Sequence, residues 1–216
     1  PGVDALGYTP DVDVRDWVSV PGIMAERGLG PNGAQIACAD IAGLHFPEIN
    51  NVIDGFSADY VLIDTPGQIE LFPFREASTV FLDAKSSTQS IIVFVLDPAV
   101  AKTPAGLVSL LMLSSSIQFR FSTPMDLVLG KADLLTIDEI EEILEYCVNP
   151  EALQFALGRG EMEMRAVAAA EFLRAMETLG AQKVPKPVSS TEMSGIEDIY
   201  NSIQLVFFGG EDLASD

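Results

Sequence analysis

The sequence has few basic residues for its length. Among 216 residues, 12 are Lys or Arg and 32 are Asp or Glu, which gives a formal net charge of -20 at pH 7. A chain this acidic does not attract a nucleic-acid backbone or an anionic membrane by its overall charge. We therefore expect no direct nucleic-acid partner and no membrane partner, although backbone N–H groups and a metal ion can still bind one phosphate group locally.

Cysteine, histidine and long apolar runs are also scarce. Cys38 and Cys147 form neither a C-x-x-C pair nor a disulfide framework. The one histidine, His45, has no histidine partner for a zinc site, and no G-x-S-x-G motif supplies the serine of a catalytic triad. The longest apolar run, 91–96, is too short to span a bilayer, and no secretory signal is present. We expect a cytoplasmic protein.

Hydrophobic residues make up 48% of the chain, which is enough for a continuous core and excludes intrinsic disorder. Short apolar runs predict four buried strands, and helical patterns lie before and between them. The predicted strands are 60–63, 91–96, 126–129 and 184–188, and the predicted helices are 21–27, 34–42, 48–56, 75–84, 104–118, 137–146, 161–179 and 195–208. This alternation indicates an α/β fold with helices on both faces of a mostly parallel sheet. We predict one domain over 1–216 with a helical insertion at about 136–180.

Ligands of such a sheet bind beyond the carboxyl ends of the strands, so the turns after the strands are the candidate sites. Asp64-Thr65-Pro66-Gly67 follows the first predicted strand. An aspartate here typically serves Mg²⁺, and a glycine lets its N–H approach a terminal phosphate because it has no Cβ. Gln68 is suited to orient an attacking water, and Glu70 to receive a proton or hold that glutamine. An ordinary turn is the alternative, and the strand before it favours the nucleotide interpretation.

Gly130-Lys131-Ala132-Asp133 follows the third predicted strand. Guanine-nucleotide binders usually have N-K-x-D in this turn, where the aspartate accepts hydrogen bonds from guanine and the lysine stem lies over the base. A site built for those donors rejects adenine, which would leave the buried carboxylate unpaired. Gly130 stands in place of the usual Asn, which predicts weaker or less selective guanine binding. A glycine-rich turn with solvated Lys131 and Asp133 is the alternative.

Two further motifs are weaker signals. Ser189-Ser190-Thr191 follows the last predicted strand and could place backbone N–H groups against guanine O6, although such turns are usually helix caps. The stretch 28–33 matches G-x-G-x-x-G, but a dinucleotide-binding fingerprint needs a strand directly before it, whereas 21–27 is helical and partly charged. We interpret 28–33 as a turn between two helices.

In combination, these motifs resemble the GPN-loop GTPase family of dimerising P-loop NTPases. The resemblance is carried by Gly30-Pro31-Asn32, by 64–72 and by 129–135, in this order, and extends from Pro1 to about Phe208. It implies GTP or GDP and Mg²⁺ as ligands, GTP hydrolysis, and a homodimer in which the Gly30-Pro31-Asn32 loop reaches the partner's nucleotide. Eukaryotic relatives assist RNA polymerase II assembly, which implies a protein client. The implied residues are catalytic Asn32, Gln68 and Glu70, nucleotide-binding Gly30, Pro31, Gly67, Lys131, Asp133 and Ser190, and Asp64 for the metal.

The 216 residues lack one motif that the resemblance requires. A P-loop has the pattern G-x-x-x-x-G-K-[ST], whose N–H groups cradle phosphates, and this pattern does not occur here. In the family it stands before the first residue given, on a strand between the 60–63 and 91–96 strands. We expect roughly 40 further residues upstream, from the size of one βαβ unit; a shortened paralogue that binds no nucleotide is the alternative. Without that strand, both neighbours would expose apolar side chains, and these residues alone should not hydrolyse GTP.

An assembly or scaffold protein without turnover is the alternative function. The helix over 107–117 is apolar around much of its surface. This pattern is typical of packing against the sheet, and a groove for a client peptide is the other interpretation. An acidic nucleic-acid mimic is disfavoured by the apolar composition and the internal strands.

Overall fold

The structure is a computed structural model that describes residues 6–67, 73–74, 90–121, 123–158, 163–179 and 183–209. The chain divides into two compact units, Pro1–Gln89 and Ser90–Asp216. In the first unit, a short 3-10 helix at Val14–Asp16 precedes α1 (Val20–Arg27) and α2 (Pro31–Ile53). In the second unit the elements are β1 (Ile92–Leu96), α3 (Pro98–Ala101), α4 (Pro104–Arg120), β2 (Met125–Leu129), α5 (Ile137–Val148), α6 (Pro150–Leu157), α7 (Glu163–Thr178), β3 (Lys186–Pro187) and α8 (Ile196–Phe208).

The boundaries of α1 follow from the residues that flank it. Ser19 Oγ accepts a hydrogen bond from Gly22 N at 3.2 Å, which satisfies an N–H group of the first turn. Gly28 ends the helix in the left-handed conformation with φ 63. Leu29 and Gly30 complete the connection, and α2 begins at Pro31. The predicted turn between two helices is therefore present, but its second half forms the first turn of α2.

Helix α2 is continuous through Pro47, so the prediction of two helices over 34–42 and 48–56 is wrong. A proline inside a helix removes one backbone donor and crowds the preceding turn. Here a stripe of buried side chains runs along the helix on both sides of the proline and shares one core with Val18 and Ile23. Because this core includes residues before and after Pro47, packing holds the two halves in one helix. The stripe consists of Ala34, Cys38, Ala42, Phe46 and Ile49.

The predicted strand over 60–63 is not formed, and residues 57–66 have no regular secondary structure. Tyr60, Val61, Leu62 and Ile63 are 38%, 49%, 94% and 48% exposed. A strand is stable only when its N–H and C=O groups pair with a neighbour. Within the described residues this stretch has no strand partner, which accounts for its irregular, exposed conformation.

The second unit contains a parallel sheet in the order β1-β2-β3. Leu96 pairs with Leu129, and Leu129 pairs in turn with Pro187. The central strand β2 is buried at four of its five positions, whereas Val95 on β1 is 60% exposed. The predicted strands over 91–96, 126–129 and 184–188 are therefore confirmed, the last as a strand of two residues.

Helix α4 packs against α3, α5 and α6, and α6 packs against α7. Leu107, Val108, Leu111 and Ile117 of α4 are buried. These four side chains therefore belong to the core, as the pattern indicates, whereas Met112 and Phe119 on the same helix are 42% and 77% exposed. None of the helices within the described ranges combines the length and the hydropathy needed to cross a membrane.

Candidate functional site

The turn after β2 is attached to the ends of both neighbouring strands. Gly130 N donates a hydrogen bond to Leu96 O of β1 at 3.1 Å. On the other side, Ala132 N donates to Val188 O at 3.0 Å, directly after β3. Lys131 lies between these two bonds in the left-handed conformation with φ 52. The main chain of the turn is thus fixed at the carboxyl edge of the sheet, where nucleotides bind in folds of this class.

Asp133 in this turn is held by a buried hydroxyl group. Ser189 Oγ donates to Asp133 Oδ1 at 2.6 Å, and the same hydroxyl accepts from Glu192 N at 3.1 Å. Ser189 is 0% exposed, whereas Asp133 is exposed to solvent. A hydrogen bond to a carboxylate is stronger than one between neutral groups. The bond therefore restricts the orientation of a carboxylate that still faces outward.

Ser189 is a residue that the sequence reasoning missed, because the Ser-Ser-Thr motif pointed to Ser190. Ser190 is exposed in the turn. The signal available in the sequence was position: Ser189 comes directly after the predicted strand over 184–188, where the chain is still paired. Val188 N donates to Leu129 O at 2.9 Å, and this pairing brings Ser189 beside the turn that contains Asp133.

The turn from Ser189 to Ser194 is closed by reciprocal backbone bonds, each 3.0 Å long. Gly195 follows with φ 74, a conformation that side chains rarely adopt. A Cβ atom at Gly195 would lie 2.1 Å from Pro187 O. The turn beside Asp133 therefore requires glycine at this position for two independent reasons.

Gly130 also approaches its neighbour closely. A Cβ atom at this position would lie 2.7 Å from Val95 Cγ1 on β1. An asparagine here would require the Val95 side chain to move. The departure from the N-K-x-D pattern is thus accommodated by the packing of this particular sheet.

In the first unit, Gly30-Pro31-Asn32 forms the start of α2. Gly30 is the residue before the helix, and Pro31 occupies the first turn, where its missing N–H is not needed. Asn32 is exposed in the same turn. The three residues of the motif are therefore presented at the N-terminal end of a helix of 23 residues.

Asp64 and Gly67 lie on the irregular stretch that follows the exposed run 60–63. Tyr8 Oη donates a hydrogen bond to Asp64 Oδ2 at 2.7 Å, and this bond raises the pKa of the Tyr8 phenol. Among the described residues, a Cβ atom at Gly67 would meet nothing within 4 Å. Gln68 and Glu70 lie outside the described residues.

The described residues fit a magnesium ion that binds together with a nucleotide. No cluster of three or more His, Cys, Asp or Glu residues occurs in the part of the chain that the structure describes. Mg²⁺ at nucleotide sites is held by one or two carboxylates together with phosphate oxygens and water. The carboxylate of Asp64 suits that mode.

Comparison with known proteins gives one family. A family model described as "Conserved hypothetical ATP binding protein" matches residues 1–207. GPN-loop GTPase PAB0955 from Pyrococcus abyssi is 36% identical over 147 residues, which are 67% of this chain and 58% of that protein. GPN-loop GTPase 1 from Dictyostelium discoideum is 27% identical over 214 residues, which cover 95% of this chain and 52% of that protein.

The apo crystal structure of the Pyrococcus abyssi GTPase PAB0955 matches the fold with a TM-score of 0.83 and 29% sequence identity. The match covers 95% of this chain and 82% of that chain. This likeness confirms the predicted α/β fold. The chain spans about half the length of the curated relatives it matches, from 38% to 58%.

Proposed function

Because this chain belongs to the GPN-loop GTPase family, we propose that it functions as an Mg²⁺-dependent GTPase that recognises guanine through Asp133. The observation that carries the proposal is the 2.6 Å hydrogen bond from buried Ser189 to Asp133, in a turn attached to both neighbouring strands. Such a carboxylate is preorganised for the two donors of guanine, the N1–H and the 2-amino group. Adenine lacks this pair of donors and would leave the carboxylate unpaired.

The other residues proposed to contact the base lie in the same turn and in the turn that adjoins it. Lys131 precedes Asp133 in the left-handed conformation, and its stem would lie over the base. The backbone of Ser190, in the adjoining turn, would meet guanine O6. Gly130 supplies no side-chain amide to brace neighbouring loops, and the Asp133 carboxylate is held by the Ser189 hydroxyl.

Other residues are proposed to contact the phosphates. Asp64 would hold Mg²⁺, which when bound neutralises charge on the phosphate oxygens. Gly67 would offer its N–H to the terminal phosphate, because it has no side chain in the way. Gln68 and Glu70 would orient the attacking water and receive its proton.

Catalysis in this proposal needs a second copy of the chain. Asn32, presented with Gly30 and Pro31 at the start of α2, would act near the terminal phosphate of the partner subunit. The protein would then be a homodimer of the cytoplasm whose shape changes with the bound nucleotide. A protein client, as the resemblance to eukaryotic relatives implies, would respond to that change.

Exchange of the base-reading carboxylate tests the function. In the full-length protein, Asp133→Asn should weaken GTP binding about 100-fold, because mispairing a hydrogen bond to a charged group costs roughly 2–3 kcal/mol. It should strengthen binding of xanthosine triphosphate, whose C2 carbonyl accepts from the new amide. The measurement is competition of GTP, ATP and xanthosine triphosphate against a fluorescent GDP analogue.

The matched control is Asp138→Asn, which removes an exposed carboxylate from the first turn of α5. This variant should keep the nucleotide preference of the wild type. Equal preference for GTP and ATP in the wild type, or an unchanged preference in Asp133→Asn, contradicts the proposed base site.

A further inference from the structure

We propose that Tyr8 is a positioning residue that orients Asp64 to receive Mg²⁺, an inference that rests on the proposed function. The carrying observation is the 2.7 Å bond from Tyr8 Oη to Asp64 Oδ2, which joins residues 56 positions apart in the chain. This length is typical of an O–H donor bound to a carboxylate.

Asp64 needs such a partner because its backbone is not fixed by a sheet. Residues 57–66 have no regular secondary structure, and Leu62, two positions before Asp64, is 94% exposed. An aspartate at the end of a paired strand is oriented by the backbone ladder. Here the phenol of Tyr8 gives the carboxylate a defined direction by a contact between side chains.

Burial does not explain a tyrosine at position 8. The side chain is 54% exposed and does not belong to the core that α1 and α2 share. An exposed aromatic ring whose hydroxyl ends on a carboxylate is positioned by that hydrogen bond. The hydrogen bond to Asp64 therefore accounts for the tyrosine at position 8.

The chemistry of the carboxylate allows both ligands at once. A carboxylate has two oxygens and about four lone-pair directions. Tyr8 uses Oδ2, and the other oxygen is the one that would hold the metal or a metal-bound water. A phenol donor on one oxygen fixes the rotation of the group, which is how partners outside the metal's ligand set raise metal affinity.

The test compares metal affinity with nucleotide affinity in the full-length protein bound to GDP. Mn²⁺, which replaces Mg²⁺ and is paramagnetic, is titrated and its free concentration is followed by electron paramagnetic resonance. Tyr8→Phe should weaken Mn²⁺ binding about tenfold, the low end of the loss for an outer partner of a metal ligand. GDP affinity in excess EDTA should equal that of the wild type, because the base site is unchanged.

Tyr146→Phe is the matched control, because its hydroxyl also donates to a carboxylate, Glu142 on α5, at 2.5 Å. This control should bind Mn²⁺ like the wild type. Unchanged or tighter Mn²⁺ binding in Tyr8→Phe overturns the proposal, since tighter binding means that the phenol competes with the metal. Loss of GDP binding in EDTA also overturns it, because Tyr8 would then support the fold.

The double variant Tyr8→Phe/Asp64→Asn separates the two residues. If Tyr8 acts through Asp64, adding Tyr8→Phe to Asp64→Asn should change the residual Mn²⁺ affinity less than twofold. A full tenfold loss in that background contradicts the proposal. Failure of the wild type to bind any guanine nucleotide is a separate result, which contradicts the proposed function and not the Tyr8–Asp64 contact.

Discussion

The two carboxylates assigned to the nucleotide follow similar apolar runs but are supported in different ways. Asp133 comes after the buried strand β2, and its partner Ser189 is 0% exposed. Asp64 comes after an exposed, irregular run, and its partner Tyr8 is 54% exposed. The comparison teaches that an apolar run followed by aspartate specifies a strand only where neighbouring strands are present to pair with it.

The largest effect is expected from substitution of Gly195, which follows the turn beside Asp133. Gly195→Ala should lower the free energy of unfolding by about 3 kcal/mol, because it combines a left-handed conformation with a clash against Pro187 O. The measurement is urea unfolding followed by circular dichroism. Guanine-nucleotide affinity should fall in parallel, since the turn from Ser189 to Ser194 adjoins the altered residue.

Gly28→Ala is the matched control for the clash. Gly28 has φ 63, but a Cβ atom there meets nothing within 4 Å. Its cost should be about 1 kcal/mol, from backbone strain alone. Equal losses in the two variants would show that the contact with Pro187 is absorbed by small shifts and that the turn is less fixed than the structure indicates.

The side-chain support of Asp133 can be tested by Ser189→Ala. Loss of the hydroxyl frees the carboxylate and should reduce the preference for GTP over ATP about tenfold, consistent with the 1.5–3 kcal/mol of a hydrogen bond to a charged group. Ser109→Ala, which removes an exposed hydroxyl from α4, should leave the preference unchanged. A normal preference in Ser189→Ala would mean that the main-chain bonds alone orient Asp133.

A smaller effect on stability, which depends on pH, is expected at Asp13 in the first unit. The Arg15 guanidinium donates to the Asp13 carboxylate and holds the pKa of that carboxyl below its usual value of 3.8. A carboxyl with a lowered pKa in the folded state stabilises the protein above its unfolded pKa, and this contribution is lost as the pH falls through the folded pKa.

Asp13→Asn should therefore be slightly less stable than the wild type at pH 6, and the difference should disappear in strong acid. Unfolding monitored by the fluorescence of Trp17, the single tryptophan, from pH 6 downward measures it. A difference that stays constant across this range would assign the effect to lost capping of the 3-10 helix at Val14–Asp16, which Asp13 also caps.

Local patterns in the sequence were sufficient for most of the second unit. The helices that include Leu107 and Ile143 and the strands that include Val95 and Val128 have clear periodicity or continuous apolar runs, and each is present. The boundaries of α1 were also readable, because Ser19 and Gly28 are local start and stop signals.

Features that depend on contacts between residues far apart in the sequence could not be predicted from local patterns. Pro47 predicts a break that the shared core with Val18 and Ile23 overrides. The run 60–63 predicts a strand, but a strand requires a partner elsewhere in the chain. The roles of Ser189 and Tyr8 depend on hydrogen bonds to residues 56 positions away, and residue type alone gives no sign of either bond.

The main-chain bonds of Gly130, Ala132 and Val188 determine which changes the turn after β2 can tolerate. They hold the turn to both adjoining strands without using any side chain. Side chains of this turn can therefore be exchanged while its main-chain bonds persist, and Gly130 keeps its bond to Leu96 O without any side chain. Under the proposed function, base preference would depend on the side chains of this turn and its architecture on the main chain.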